Sequence, residues 1–217
     1  MNKLFQIIFI LSFGICFSQI NVEEIKKNVT ENPQEYKSYL EIFKKNPASL
    51  TQEQMNQLYY GSRFVKSEYD LSNYNDDYKE VWKPSEKKLS KSNAEKIVTK
   101  AEKAYVKDPL NRLILKNISN IYSVLGDNAK EELAMIQYNA VMNTIKNSGS
   151  GDSEDSPICV IWAGDVIAQI DNLHGYGTAA DFKQNMKYLP DGSTITAYSM
   201  GKKKIFVKLV GGFRWEQ

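Results

Sequence analysis

The chain has 217 residues, with 28 Lys and Arg against 26 Asp and Glu and 42% apolar residues. That is enough for one domain or two small ones, and it excludes a disordered, collagenous or disulfide-stapled chain. A formal net charge of +2 supplies no clustered basic excess for nucleic acid. One histidine and two cysteines fall short of the roughly four ligands of a Cys/His zinc framework, and no motif implies a cofactor.

Residues 1–18 read as a secretory signal peptide. Lys3 supplies a positive n-region, Leu4 to Phe17 is an almost uninterrupted apolar run, and Cys16-Phe17-Ser18 closes it, so cleavage after Ser18 is favoured. Two alternatives fit less well. An uncleaved anchor needs roughly 20 apolar residues. A lipoprotein acylated at Cys16 wants a small residue before the cysteine, and Ile15 is bulky. Cleavage leaves 27 basic and 26 acidic residues, a single thiol at Cys159, no internal disulfide and no stable membrane span. The expected location is the periplasm, the outer membrane or the exterior.

Residues 19–147 form the helical region. Pro33 suits a first turn, followed by a stripe of Tyr36, Tyr39, Leu40 and Phe43 that ends near Asn46-Pro47. Thr51 and Gln54 make a capping box, with Leu50 and Met55 as a hydrophobic staple, and the helix after it buries Met55, Leu58 and Tyr59. Between Glu68 and Pro84 the periodicity dissolves into a long connection with one short helix around Trp82. Ser92 and Glu95 suggest a second capping box, opening a helix that carries Ile97, Ala101, Ala104 and Tyr105. A helix from Asn111 buries Leu115, Ile118 and Tyr122 and stops at Gly126-Asp127. Another runs from about Lys130 to Lys146 with Leu133, Ala134, Tyr138, Val141 and Ile145 inside. Three consecutive antiparallel helices are implied. Ala101, Ala104, Pro109, Leu115, Ile118, Tyr122 and Gly126 fall in register with the tetratricopeptide repeat, which this stretch resembles for about one and a half repeats.

Residues 148–157, rich in Ser, Gly and Asp, read as a loop without a core contribution. In 158–217, Ile158 to Ala163 predicts a strand, Gly164-Asp165 a hairpin turn and Val166 to Ile170 its partner. A helix is expected over roughly Ala179 to Tyr188, a turn at Pro190-Asp191-Gly192-Ser193, a strand over Thr194 to Met200, a turn at Gly201-Lys202 and a strand over Lys204 to Val210. The predicted class is α+β: tetratricopeptide-like antiparallel helices, then a small antiparallel sheet with one helix in ββαββ order. The whole pattern, with its loop from Ser148 to Asp155 followed by an apolar strand pair, is similar to an uncharacterised family of short exported bacterial proteins, a domain of unknown function. The resemblance implies no activity.

Cys159 and His174 are the thiol and the imidazole of the mature chain, so a Cys/His nucleophilic pair would use them, with Asp165 or Asp171 as orienter. Cys159 sits in an apolar run, however, where a cysteine behaves as a small hydrophobe. His174 precedes Gly-Tyr-Gly and suits a loop over a ligand or a solvated turn. Asp152, Glu154 and Asp155 offer oxygen ligands for calcium, but at spacing that departs from the EF-hand. Lys202-Lys203-Lys204 reads as a charged turn guarding a sheet edge. Phe213-Arg214-Trp215 is a docking peptide or a packed chain end, and the 13 tyrosines suit peptide or glycan contact. The expected function is a non-enzymatic binding or scaffolding protein of the cell envelope with a protein or peptide partner. The alternative is an enzyme or small-ligand binder with a pocket between helices and sheet near His174. The oligomeric state is not legible.

Overall fold

The computed structural model describes residues 20–65, 81, 89–162, 164–166 and 182–212. It is an α+β structure in which helices precede a small sheet. Helices α1 (Val22–Glu31), α2 (Pro33–Lys45) and α3 (Gln52–Gly61) come first, a short 3-10 turn over Pro47–Ser49 separating the last two. They are followed by α4 (Lys91–Lys107), α5 (Arg112–Leu125) and α6 (Asn128–Lys146).

Local chemistry fixes most helix ends. Pro33 occupies the first turn of α2, and the Thr51–Gln54 capping box is complete at α3. The turn after α5 needs a left-handed residue, which Gly126 supplies at φ 80°. One boundary differs from expectation. The cap of α4 is Ser90, whose hydroxyl accepts from the Asn93 N–H, so Ser92 falls inside the first turn.

Two apolar clusters fill the structure. The smaller brings Ala94, Ala101 and Ala104 of α4 against Ile114, Ile118 and Ile121 of α5, with Val81 and Ala134. Alanines there let α4 approach α5 closely. The larger joins Phe43, Leu58, Tyr60 and Ile145 to Ile158, Val160, Val207 and Leu209 of the sheet. Gln137 ties α6 to α2 across this core, its Nε2 donating to Phe43 O (3.0 Å) and so satisfying a carbonyl at the end of α2.

The sheet has strands β1 (Ile158–Val160), β2 (Lys183–Tyr188), β3 (Thr194–Met200) and β4 (Lys203–Leu209), in the order β1-β4-β3-β2. The turns at 190–193 and 201–202 lie where expected, and β3 pairs antiparallel with both β2 and β4. Three expectations fail. Gly164 and Asp165 are not a hairpin turn, because residues 164–166 are helical and the Asp165 carboxylate is drawn into a buried ion pair; residues 167–170 lie outside the described residues. Strand β1 therefore pairs in parallel with β4. Residues Lys183 to Tyr188 form a strand where a helix was expected, since the hairpin turn ahead of β3 imposes pairing that local propensity disfavours. The order is thus not ββαββ.

Residues 148–157 also contribute more than a loop. Ser148, Gly149, Gly151 and Pro157 are buried. Cys159 N–H donates to Ser148 Oγ at 2.7 Å, and Phe206 N–H donates to Gly151 O at 2.8 Å. A Cβ on Gly149 would stand 2.1 Å from Pro157 O. The segment packs through its backbone, which a scan for apolar side chains cannot register.

Candidate functional site

Two adjacent residues at the end of α3, Tyr59 and Tyr60, have no exposed surface. Their rings meet edge to face at 4.9 Å. Tyr59 O–H donates to Asp165 Oδ2 at 2.9 Å and accepts from Ile161 N–H at 3.5 Å. Arg112, the first residue of α5, donates from Nε to Asp165 Oδ1 at 2.6 Å and from Nη2 to Gly164 O at 2.6 Å. Tyr60 O–H donates to Cys159 O at 3.1 Å. One node thus joins α3, α5 and the chain that leaves β1.

The electrostatics of this node follow from burial. Loss of water pushes the Asp165 carboxyl up, opposed by the Arg112 guanidinium. The Tyr59 phenol is pushed up by burial and by the Asp165 charge, and it stays protonated as a donor. A buried carboxylate that accepts from a guanidinium on one oxygen and a phenol on the other is fixed in place, so the node orients and locks the three segments.

Cys159, 3% exposed, is the free thiol among the described residues. Burial pushes it up to about 12, with Lys208 acting in the opposite sense. It behaves as the small hydrophobe its neighbours suggested. Its side chain borders a cleft of about 590 Å³ whose lining includes Val22, Ser148, Asp155, Asp191, Ile195 and Lys208. Lys208 Nζ donates to Asp191 Oδ2 at 2.9 Å. Partial burial disfavours the Asp191 charge, but the hydrogen bonds from Lys208 and Ser193 prevail and hold its carboxyl below the ordinary range.

Of the other sequence candidates, Glu154 and Asp155 also line this cleft. Glu154 takes Lys187 Nζ on both oxygens, at 2.7 and 2.8 Å. Among the described residues no group of three or more His, Cys, Asp or Glu is placed to hold a metal, so Asp152, Glu154 and Asp155 do not converge. His174, Asp171, Cys16, Trp82 and Phe213-Arg214-Trp215 lie outside the described residues. No helix among those described is long and apolar enough to cross a membrane. Sequence reading placed Tyr59 in the core without its partners, and it missed Arg112 and Lys208. The signal was available in both of the latter: a charged residue opening the apolar stretch Leu113-Ile114-Leu115, and a lysine interrupting Ile205-Phe206-Val207 and Leu209-Val210.

No curated protein and no solved structure matches the chain. A family model described as Domain of unknown function (DUF4919) matches residues 23–186. The match takes in the helical part, the packed loop at 148–157, β1 and most of β2, and the chain therefore belongs to the DUF4919 family.

Proposed function

We propose that the protein is a non-enzymatic binding or scaffolding protein of the bacterial cell envelope, exported by its first 18 residues. One observation carries the reading: large apolar side chains stand exposed on both layers, Val106 on α4, Met135 and Ile136 on α6, Met186 and Tyr188 on β2. Exposed apolar groups on three elements of a folded chain suit contact with another protein. A groove of about 270 Å³ between α1, α2 and α3, bordered by Tyr36, Tyr39 and Gln57, adds an aromatic concavity of the kind peptides occupy. Asp165 and Cys159 support the reading from the other side, since the first is bound by Arg112 and Tyr59 and the second is buried.

The test is cross-linking of the mature protein in its own envelope, followed by mass spectrometry. The expected result is a reproducible protein neighbour, captured equally by the Cys159→Ala and His174→Ala variants. Recovery of no reproducible neighbour overturns the reading. A second reading, a small-ligand binder or an enzyme using His174, Asp171 or Cys159, is favoured by the cleft beside Lys208 and Asp191. Loss of function in His174→Ala or Cys159→Ala with the fold intact selects it.

A further inference from the structure

Among the described residues, strand β2 forms the edge of the sheet opposite β1, and all six of its residues are exposed. Among the described residues its one strand neighbour is β3. The hairpin fixes which backbone groups face outward. Leu189 N–H donates to Ser193 O at 2.9 Å, and bonded pairs recur at every second residue of an antiparallel ladder. Lys187, Asn185 and Lys183 therefore exchange their bonds with β3. Gln184, Met186 and Tyr188 turn their N–H and C=O groups to the open edge.

The side chains divide by the same alternation. Met186 continues the row Thr196, Val207, Ile158, and Tyr188 continues the row Thr194, Leu209, Val160. Val207, Leu209, Ile158 and Val160 belong to the main core, so two rows of the core face run outward to Met186, 41% exposed, and Tyr188, 72% exposed. The opposite face of β2 carries Lys183 and Lys187. Lys204 stands in line with Lys183 through Ser199 and is held 4.6 Å over the Phe206 ring. Lys202 and Lys203 at the adjoining turn are exposed as well. Glu154 is the carboxylate that meets Lys187.

We propose that the open edge of β2 takes an extended acidic segment of a partner protein as an added strand, its apolar side chains lying over Met186 and Tyr188 and its intervening carboxylates facing Lys183 and Lys187. The inference rests on the protein-binding reading and names the partner's chemistry. Main-chain hydrogen bonds to Gln184, Met186 and Tyr188 supply attachment, and the alternating side chains supply selectivity. Charge decides the occupant. A second copy of β2 would bring Lys183 and Lys187 of each chain to one seam, where like charges oppose pairing. Lysines guard an edge against strands of like charge. They attract an acidic one.

The probe is a fluorescent heptapeptide of alternating Asp and Val, measured by anisotropy against the mature full chain at low salt. It is compared with a peptide of the same composition in separate Asp and Val blocks, and with one carrying Lys for Asp. The alternating acidic peptide is expected to bind at least tenfold more tightly than either, with NMR shifts concentrated in the amides of Gln184, Met186 and Tyr188. Met186→Pro removes an outward N–H without removing a bond to β3, and it should weaken binding at least tenfold. Lys183→Glu reverses charge without touching the backbone and should do the same. Equal binding of the block peptide, no binding of the alternating one, undiminished binding by both variants, or a dimer that pairs β2 with β2 overturns the proposal. If the envelope cross-links instead reproducibly trap a neighbour through α4 or α6 while the peptide fails, the edge is refuted and the binding role stands.

Discussion

Replacing Asp165 by Asn keeps the shape of the node among α3, α5 and β1 and removes its negative charge. Arg112 then retains a guanidinium whose side chain is 10% exposed, with Gly164 O as its remaining charge-free acceptor. Breaking a buried pair from one side costs about 3–5 kcal/mol, since the surviving charge is neither hydrated nor paired. The amide can still accept from Tyr59, and so the expectation is the lower end, about 3 kcal/mol. Tyr59→Phe loses a hydrogen bond to a charged acceptor, together with the long bond from Ile161 N–H, and should cost about 1.5–3 kcal/mol. The decisive variant is Arg112→Met with Asp165→Leu. Removing both charges together leaves no orphan charge, although the Tyr59 hydroxyl loses its acceptor, and the double variant should lie within about 2 kcal/mol of the parent, more stable than Asp165→Asn alone. Urea unfolding followed by circular dichroism supplies all four values. If Asp165→Asn costs under about 1 kcal/mol, or the double variant is less stable than the single one, the node is not a buried ion pair and the reasoning fails.

The thiol of Cys159 should resist iodoacetamide at pH 8 in the folded chain and react on unfolding in urea, since burial pushes it up to about 12; prompt labelling of the native protein would refute its burial. Gly149→Ala places a Cβ 2.1 Å from Pro157 O, and the forced shift should cost about 1–3 kcal/mol in urea unfolding, against no measurable change if the loop is a free linker. Asp191 titrates below the ordinary carboxylate range in the folded state. Its contribution is therefore present above about pH 4 and lost as pH falls through the lowered value. The parent's thermal midpoint should drop more steeply than that of Asp191→Asn below about pH 4, and parallel profiles would contradict the Lys208 pairing. Thr51→Ala removes the hydroxyl that caps α3 and should cost about 1 kcal/mol.

What was legible in the chain is what neighbours in sequence decide. Thr51 and Gln54 satisfy one another's backbone across three positions, Gly126 ends α5 by its own left-handed conformation, and the alanines of α4 mark a close helix contact. The sheet was misread where distant residues decide. Lys183-Gln184-Asn185-Met186-Lys187-Tyr188 contains no β-branched residue, and its strand conformation comes from β3. Strand β1 finds its partner in Val207-Lys208-Leu209. Asp165 looked like a turn residue because its partners, Arg112 and Tyr59, lie 53 and 106 residues away. Ser148 and Gly151 escaped notice because they bind through a hydroxyl and a backbone carbonyl.

The core that joins the layers also bears on how the protein would hold a partner. Ile158, Val160, Val207 and Leu209 bury their side chains with Leu58, Tyr60 and Ile145 from the helices. The sheet's inner face is thus completed by residues from the other side of the loop at 148–157. Strand β3 is pinned between β4 and β2, and β2 takes its extended form from β3 across the full length from Lys183 to Tyr188. An edge held in this way is ordered before anything binds to it. A partner strand then bears the ordering cost of one chain instead of two, which favours attachment to β2 over association between disordered segments. The same rigidity fixes the distance from the apolar face of Met186 and Tyr188 to the basic face of Lys183 and Lys187. Selectivity at this edge would accordingly depend on the order of side chains along the partner, because a flexible surface could match composition alone and a fixed strand cannot.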